Sequence, residues 1–330
     1  MRRREFITLL GSAAAGWPLA ARAQQPERMR RIGVLMSNRE TDTDGQARIG
    51  ALRQGLKELG WVEGKNLAIE YRWAGGDIGR IRSYTAELVG LSPDLIVANS
   101  TPALAAMHAA TTAIPVVFVL VVDPVGLGFI ESLARPGGNI TGFTYMELSL
   151  IGKWLELLKD IAPSVSRAAL LFNPDTAPYY PAFLDSFESL PHPATMELAG
   201  APVHTIGELE ATITALARAP GSSLLVTADP FNVVHREAIL RLITQHRLPT
   251  LSVYRQFAEE GALMSYGPDS AEIFRQSASY IDRILKGESP AKLPAQAPTK
   301  FEFVINLKTA KVLGLSVPRN LLAITDQVIE

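Results

Sequence analysis

Five places in this 330-residue chain set short polar clusters directly behind an apolar run: Ser37-Asn38, Asn99-Ser100-Thr101-Pro102, Asp123-Pro124, Asn173-Pro174-Asp175 and Asp229-Pro230. Hydroxyls, amides and single carboxylates of this kind suit hydrogen bonding to the polar ends of a small molecule better than making or breaking bonds. Asp123 is the sharpest case, because a carboxylate with no neighbouring base fits an ammonium or hydroxyl group of a ligand rather than acid–base catalysis. A Ser, Thr, Asn or Asp before proline is also how a helix is capped, the side chain accepting from free backbone N–H groups. Capping and ligand binding are compatible in one residue, and five clusters at equivalent places would together line a polar cleft.

Residues for catalysis are missing. There is no Gly-x-Ser-x-Gly elbow and no phosphate loop, and the stretch Gly126-Leu127-Gly128 carries Glu131 where a dinucleotide fingerprint needs a third glycine. The histidines (His108, His192, His204, His235 and His246) are not spaced as metal ligands. Glu259-Glu260 reads as a solvated turn, since adjacent side chains do not face each other. The expectation is a binder with no cofactor and no metal.

The elements that must position the clusters follow from periodicity. Short apolar runs such as residues 32–36, 95–98, 114–122, 167–172 and 223–228 alternate with amphipathic stretches. One such stretch, residues 45–60, sets Ile49, Leu52, Leu56 and Leu59 on one face. Strands apolar throughout, with helices between them, imply parallel sheets covered on both faces. The series restarts at Arg167 after a glycine-rich stretch with Gly137, Gly138 and Gly142, so two doubly wound Rossmann-like lobes are expected. The 47% hydrophobic content over this length supports large cores, and about two domains is the size expectation.

Charge and the N-terminus bound the setting. With 32 basic and 33 acidic residues the net charge is −1, so no general field draws in nucleic acid. The absence of cysteine excludes disulfides, thiolate metal sites and lipidation of an N-terminal cysteine. Residues 1–23 combine arginines at 2–4, a moderately apolar stretch and Ala21-Arg22-Ala23, the pattern of an export signal cleaved after Ala23. Arg3-Arg4-Glu5-Phe6-Ile7 also resembles a twin-arginine motif. The stretch is broken by Gly11, Gly16 and Pro18 and falls short of the about 20 apolar residues of a membrane span.

Several segments taken together carry a resemblance: the run at 32–36, the stretch 55–76 containing GLKELGWVEGKNLAIEYRWAGG, residues 114–142 with their Asp-Pro-Val-Gly and Arg-Pro-Gly-Gly-Asn blocks, and the closing residues 285–318. The chain resembles the substrate-binding proteins of ABC importers, in the branch that includes tryptophan-binding proteins. The resemblance implies a type I periplasmic-binding fold with ligand between the lobes, three crossings forming the hinge, a periplasmic monomer and ABC permease subunits as partners. It divides the chain into a first lobe of residues 30–143 plus 262–288 and a second of 144–258 plus 298–330. The crossings would lie near 139–145, 254–261 and 287–298, with Gly137, Gly138, Asn139 and Thr144 in the hinge. By the same resemblance Asp123 would meet a ligand ammonium and Ser100-Thr101 a ligand carboxylate. Asn38, Asn173 and Asp229 would add hydrogen bonds, while Tyr179, Tyr180, Tyr254 and Tyr266 would enclose an apolar or aromatic part. The ligand would be an amino acid, an aromatic compound or a small organic acid. An exported module of the same fold that signals to a partner, rather than feeding a permease, is the alternative.

Overall fold

A computed structural model describes residues 29–146, 149–189 and 196–330. The export segment expected over residues 1–23, and His192, lie outside the described residues. The apolar runs at the start of the chain form the first sheet. Its strands are β1 (Arg30–Met36), β2 (Leu67–Trp73), β3 (Leu95–Asn99), β4 (Val116–Val121) and β5 (Ile140–Thr144), all parallel in the order β2-β1-β3-β4-β5. β3, β4 and β5 are buried along their whole length, which is why residues 95–98 and β4 read as unbroken apolar runs, whereas β5 buries two threonines and a glycine. Between strands run α1 (Thr43–Glu58), α2 (Ile78–Gly90) and α3 (Thr101–Ala110). α1 starts where the Asp42 carboxylate accepts from the N–H groups of Asp44 and Gly45, and α2 starts where Asp77 accepts from Arg80.

The second sheet contains β6 (Arg167–Phe172), β7 (Glu197–Pro202), β8 (Ser222–Val226), β9 (Thr250–Ser252), β10 (Met264–Pro268), β11 (Phe301–Asn306) and β12 (Gln327–Ile329). Their order is β12-β11-β10-β9-β8-β6-β7, parallel throughout except for the β10–β11 pair. The helices that go with it are α4 (Ser149–Ile161), α5 (Tyr180–Ser189), α6 (Ile206–Arg218), α7 (Pro230–Val234), α8 (Arg236–His246) and α9 (Arg255–Glu260). In each sheet the first strand is flanked by the second on one side and the third on the other. That reversal of strand order opens a crevice at the carboxyl ends of the strands.

The crossings between lobes depart from the expected boundaries. The expected first-lobe segment 262–288 contains β10, but β10 pairs with β9 and β11 inside the second sheet. The chain therefore returns to the first lobe at Pro268–Asp269, not within 254–261. There Asp269 caps α10 (Ser270–Leu285), which packs on α1. The fit is close: a Cβ on Gly55 of α1 would lie 2.6 Å from the Arg275 carbonyl oxygen.

Gly137, Gly138 and Asn139 also fall elsewhere than expected. They precede β5, and the Asn139 amide donates to the carbonyls of Thr111 and Ile114 inside the first lobe, so they belong to its rigid frame. β5 itself lies so close to β4 that a Cβ on Gly142 would sit 2.0 Å from the Phe118 carbonyl oxygen. The first crossing follows Thr144. There the third crossing runs beside it, Thr144 N–H donating to Gln296 O at 2.8 Å and Gln296 N–H to Gly142 O at 2.8 Å.

Candidate functional site: a cleft between the lobes

The carboxyl ends of both sheets meet at one cleft enclosing about 420 Å³ of atom-free space, part of it open to solvent. The first lobe contributes Ser37 and Asn38 after β1, Arg48 from α1, Asn99, Ser100 and Thr101 where β3 passes into α3, and Leu120 from β4. Tyr145 enters from the first crossing. The second lobe contributes Tyr179 before α5, Ala228, Pro230 and Val233 around the start of α7, and Tyr254 before α9. One wall is thus polar and the other largely aromatic and apolar, the usual composition of a small-molecule site.

The polar wall is tied together by its own hydrogen bonds. Ser37 Oγ lies 3.0 Å from Asn99 O and 2.5 Å from Ser100 Oγ, and the Asn99 amide donates to Val119 O at 3.3 Å. Thr101 Oγ1 accepts from Val122 N–H at 3.1 Å, which pins the start of α3 to the end of β4. Ser100 occupies the capping position of α3 with φ at +90° and makes no side-chain cap, so its hydroxyl stays with the cleft wall. Leu120 has φ at +59° where the β4–β5 register shifts between Val119 and Val121. Such a bulge re-aims a side chain, and a non-glycine residue in this region stores about 1–3 kcal/mol of strain, a pattern that concentrates at ligand sites.

On the facing wall two tyrosines grip the backbone of one residue, Ala228, from both sides. Tyr179 donates its hydroxyl proton to Ala228 O at 2.6 Å, and the Tyr180 hydroxyl accepts from Ala228 N–H at 3.0 Å. Tyr145 and Tyr254 stack, their ring centroids 5.9 Å apart. Burial raises the Tyr145 phenol to about 12 and those of Tyr179 and Tyr254 well above their ordinary value, so all three face the cleft uncharged.

Arg48 had not been expected in the site. It sits in the buried stripe of α1, beside Gly45, Ile49, Leu52, Gly55 and Leu56, with only 4% of its side chain exposed. Asp44, one turn earlier, pairs with its Nη2, and Nη1 lies 3.5 Å from Asn38 Oδ1. Arg48 Nε and Asn38 Nδ2 are buried without a hydrogen-bond partner. Burial works against the guanidinium charge, but its neighbours, the Asp44 carboxylate foremost, outweigh it together and raise its pKa further. A basic residue inside an otherwise apolar helical stripe was the signal available in the sequence.

Of the residues singled out from sequence, Asn38, Ser100, Thr101, Tyr179 and Tyr254 come together at the cleft, whereas Asp123, Asn173, Asp229 and Tyr266 do not line it. Asp123 has φ at +48°, and its carboxylate turns back to accept from Gly126 N–H at 2.9 Å. It borders a separate hollow with Pro124, Leu133, Met146 and Phe183. Asp229 is fully buried behind the cleft wall, accepting from Asn173 N–H at 2.6 Å, Thr176 Oγ1 at 2.5 Å and Phe231 N–H at 2.9 Å. Burial, against these three donors, raises its carboxyl to about 6. The Asn173 side chain is spent on the Asp175 N–H at 2.8 Å. Tyr266 stacks on Phe301, centroids 5.7 Å apart, within the second lobe. Tyr180 supports the wall from behind, as its bond to Ala228 shows.

Contacts also close the rim across the cleft. Asp44 of the first lobe accepts from Gln256 of α9. Asp42 lies 3.8 Å from Arg236 of α8, which pairs in turn with Glu260 at 3.0 Å.

The ABC transporter substrate binding protein family model matches residues 39–329. A tyrosine-binding protein of Clostridioides difficile is 25% identical over 293 residues, covering 84% of each chain. Among solved structures, a Streptococcus pneumoniae ABC domain in complex with L-Trp is 24% identical, covers 91% of this chain and 99% of its own, and has a TM-score of 0.83. The ligand-free, open structure of a substrate-binding protein with adhesive properties from Clostridium difficile covers the same shares at 24% identity with a TM-score of 0.65. Among the described residues no helix is long and apolar enough to cross a membrane.

Proposed function

This chain belongs to the ABC transporter substrate-binding protein family, and we propose that it is the exported component that carries a small aromatic carboxylate, such as an aromatic amino acid, to an importer. The observation that carries this reading is the cleft itself. Hydroxyl and amide groups of one lobe face the rings of Tyr179 and Tyr254 of the other, with Tyr145 between, so a ligand with a polar end and a planar apolar end satisfies both walls at once. The tyrosine- and tryptophan-binding relatives are consistent with a ligand of that shape.

Lobe closure is the proposed working motion. The better superposition on the L-Trp-bound structure than on the open one, at equal identity, supports reading the present arrangement as the closed one. The rim contacts from Asp44 to Gln256 and from Asp42 to Arg236 support it too, since they bridge the lobes only when these are together. A ligand favours closure by its differential affinity for that state, and shifting the ratio from 1:99 to 99:1 takes about 5.5 kcal/mol. Several hydrogen bonds to Ser37, Asn38, Ser100 and Thr101 plus one enclosed ring are of that order. The backbone that flexes would be the three crossings after Thr144, at Pro268–Asp269 and over residues 297–300. The closed shape is what permease subunits would recognise. Export across the inner membrane, with residues 1–23 removed, would place the mature monomer in the periplasm.

Differential scanning fluorimetry of the mature protein against the proteinogenic amino acids and aromatic acids tests the reading. A ligand bound only by the folded state raises stability by RT ln(1 + [L]/Kd), about 2.7 kcal/mol at a hundredfold excess over Kd. A panel in which L-tyrosine, L-tryptophan and the aromatic acids all leave the melting temperature unmoved would refute it.

A further inference from the structure

We infer that Arg48 is the anchor for the ligand's carboxylate and that the cleft accepts aromatic acids lacking an α-amino group. The inference rests on the reading of the cleft as the ligand site. Among the described residues lining the cleft, Arg48 is the one ionised side chain, and no Asp or Glu reaches it. The carboxylates best placed to receive an ammonium are committed elsewhere. Both oxygens of Asp229 are taken up by Asn173, Thr176 and Phe231 behind the wall, Asp123 caps its own turn, and Asp44 is held between Arg48 and Gln256. The Ala228 carbonyl, which could serve an ammonium, already accepts from Tyr179.

The provisions for an anion are unspent. A guanidinium has five N–H donors in a planar fork suited to a carboxylate. Asp44 and Asn38 engage only part of that fork, and Arg48 Nε is buried without a partner. Asn38 Nδ2, on the same wall, is a second buried donor without an acceptor. A buried unsatisfied donor is costly, so a carboxylate that accepts from both is favoured by what it relieves as well as by its charge. The first turn of α3, uncapped by Ser100, adds a partial positive charge on the same side of the cleft. Among the described lining residues an ammonium finds only neutral hydroxyl and amide acceptors, near a cation that repels it. Specificity in this chain therefore lies in the acid and the ring.

Calorimetric titration of the mature protein with L-tyrosine, 3-(4-hydroxyphenyl)propionate and tyramine separates these groups, and L-tryptophan, indole-3-propionate and tryptamine form a parallel series. The expected result is that the deaminated acid binds within about tenfold of the amino acid while the amine is at least a hundredfold weaker. If the amino acid binds and its deaminated acid is a hundredfold weaker, or if the amine matches either, the inference is overturned while the proposed function stands. If no member of either series binds, the proposed function fails with it. Arg48→Gln should lower affinity for the acid at least a hundredfold, and Arg48→Lys should recover part of the loss. Because Arg48→Gln leaves Asp44 buried beside a neutral partner, the double variant Asp44→Asn with Arg48→Gln is measured alongside it. Undiminished affinity in whichever of the two is folded overturns the assignment of Arg48.

Discussion

Replacing Asp229 by asparagine should remove a specific part of the protein's pH-dependent stability. The carboxyl has a folded-state pKa of about 6 against an ordinary value of 3.8, burial being the cause and the donors from Thr176, Asn173 and Phe231 opposing it. A raised carboxyl pKa means the folded state prefers the neutral form. The associated stability is fully present below about pH 3.8 and is lost as pH rises through about 6. The difference of about 2.2 units corresponds to about 3 kcal/mol, of which about 2 kcal/mol falls between pH 7.5 and pH 4.5. The neutral acid can keep its neighbours, because the Thr176 hydroxyl can turn to accept from it and donate to Asn173 O at 3.4 Å. In Asp229→Asn the amide cannot ionise, and its NH2 faces a backbone donor, so the variant is less stable at low pH and closest to wild type above pH 7. Denaturation of both proteins over this pH range, with fluorescence and circular dichroism as coincident probes, gives the difference. Glu208, Glu272 and Glu288, whose lowered pKa values act in the opposite direction, are common to both proteins and cancel. A wild-type-minus-variant difference that stays flat from pH 7.5 to pH 4.5 would refute the reasoning.

Other expectations follow from single contacts. Gly142→Ala should destabilise the protein by about 3 kcal/mol, because its Cβ would meet the Phe118 carbonyl at 2.0 Å and β4 and β5 cannot part without breaking their pairing. A melting temperature within a degree of wild type would contradict that packing. Arg236→Ala, which cuts the Asp42–Arg236–Glu260 bridge across the rim, should weaken ligand binding by up to about fivefold, the scale of a partly exposed ion pair of at most about 1 kcal/mol. Small-angle scattering with saturating ligand should show a smaller radius of gyration than without it, and an unchanged radius would count against lobe closure. N-terminal sequencing of the exported protein should begin at Gln24, and an intact Met1 would remove the export reading.

Much of the architecture was legible because its causes are local. Strands buried on both faces must be apolar throughout, amphipathic helices must repeat at their own period, and together these spelled two doubly wound lobes. The polar clusters at strand ends were legible too, because ligand groups gather where strand ends open at a switch point, and Asn38, Ser100 and Thr101 stand at two such ends. Which clusters reach the ligand side was decided by backbone angles and distant partners. Asp123 and Asp229 look alike as Asp-Pro pairs, but a left-handed φ folds the first onto Gly126, and Thr176 with the Asn173 backbone draws the second behind the wall. The boundary at β10 was likewise non-local, since residues 264–268 pair with strands on either side of them in the sheet, one of which lies more than thirty residues further along the chain. Arg48 was hidden in plain view in a helical stripe, because a buried cation has meaning only with its surroundings. Asn38, Tyr145 and Tyr254 come from three other segments and join Asp44, one turn earlier on the same helix, around one guanidinium, and that convergence is a property of the tertiary structure.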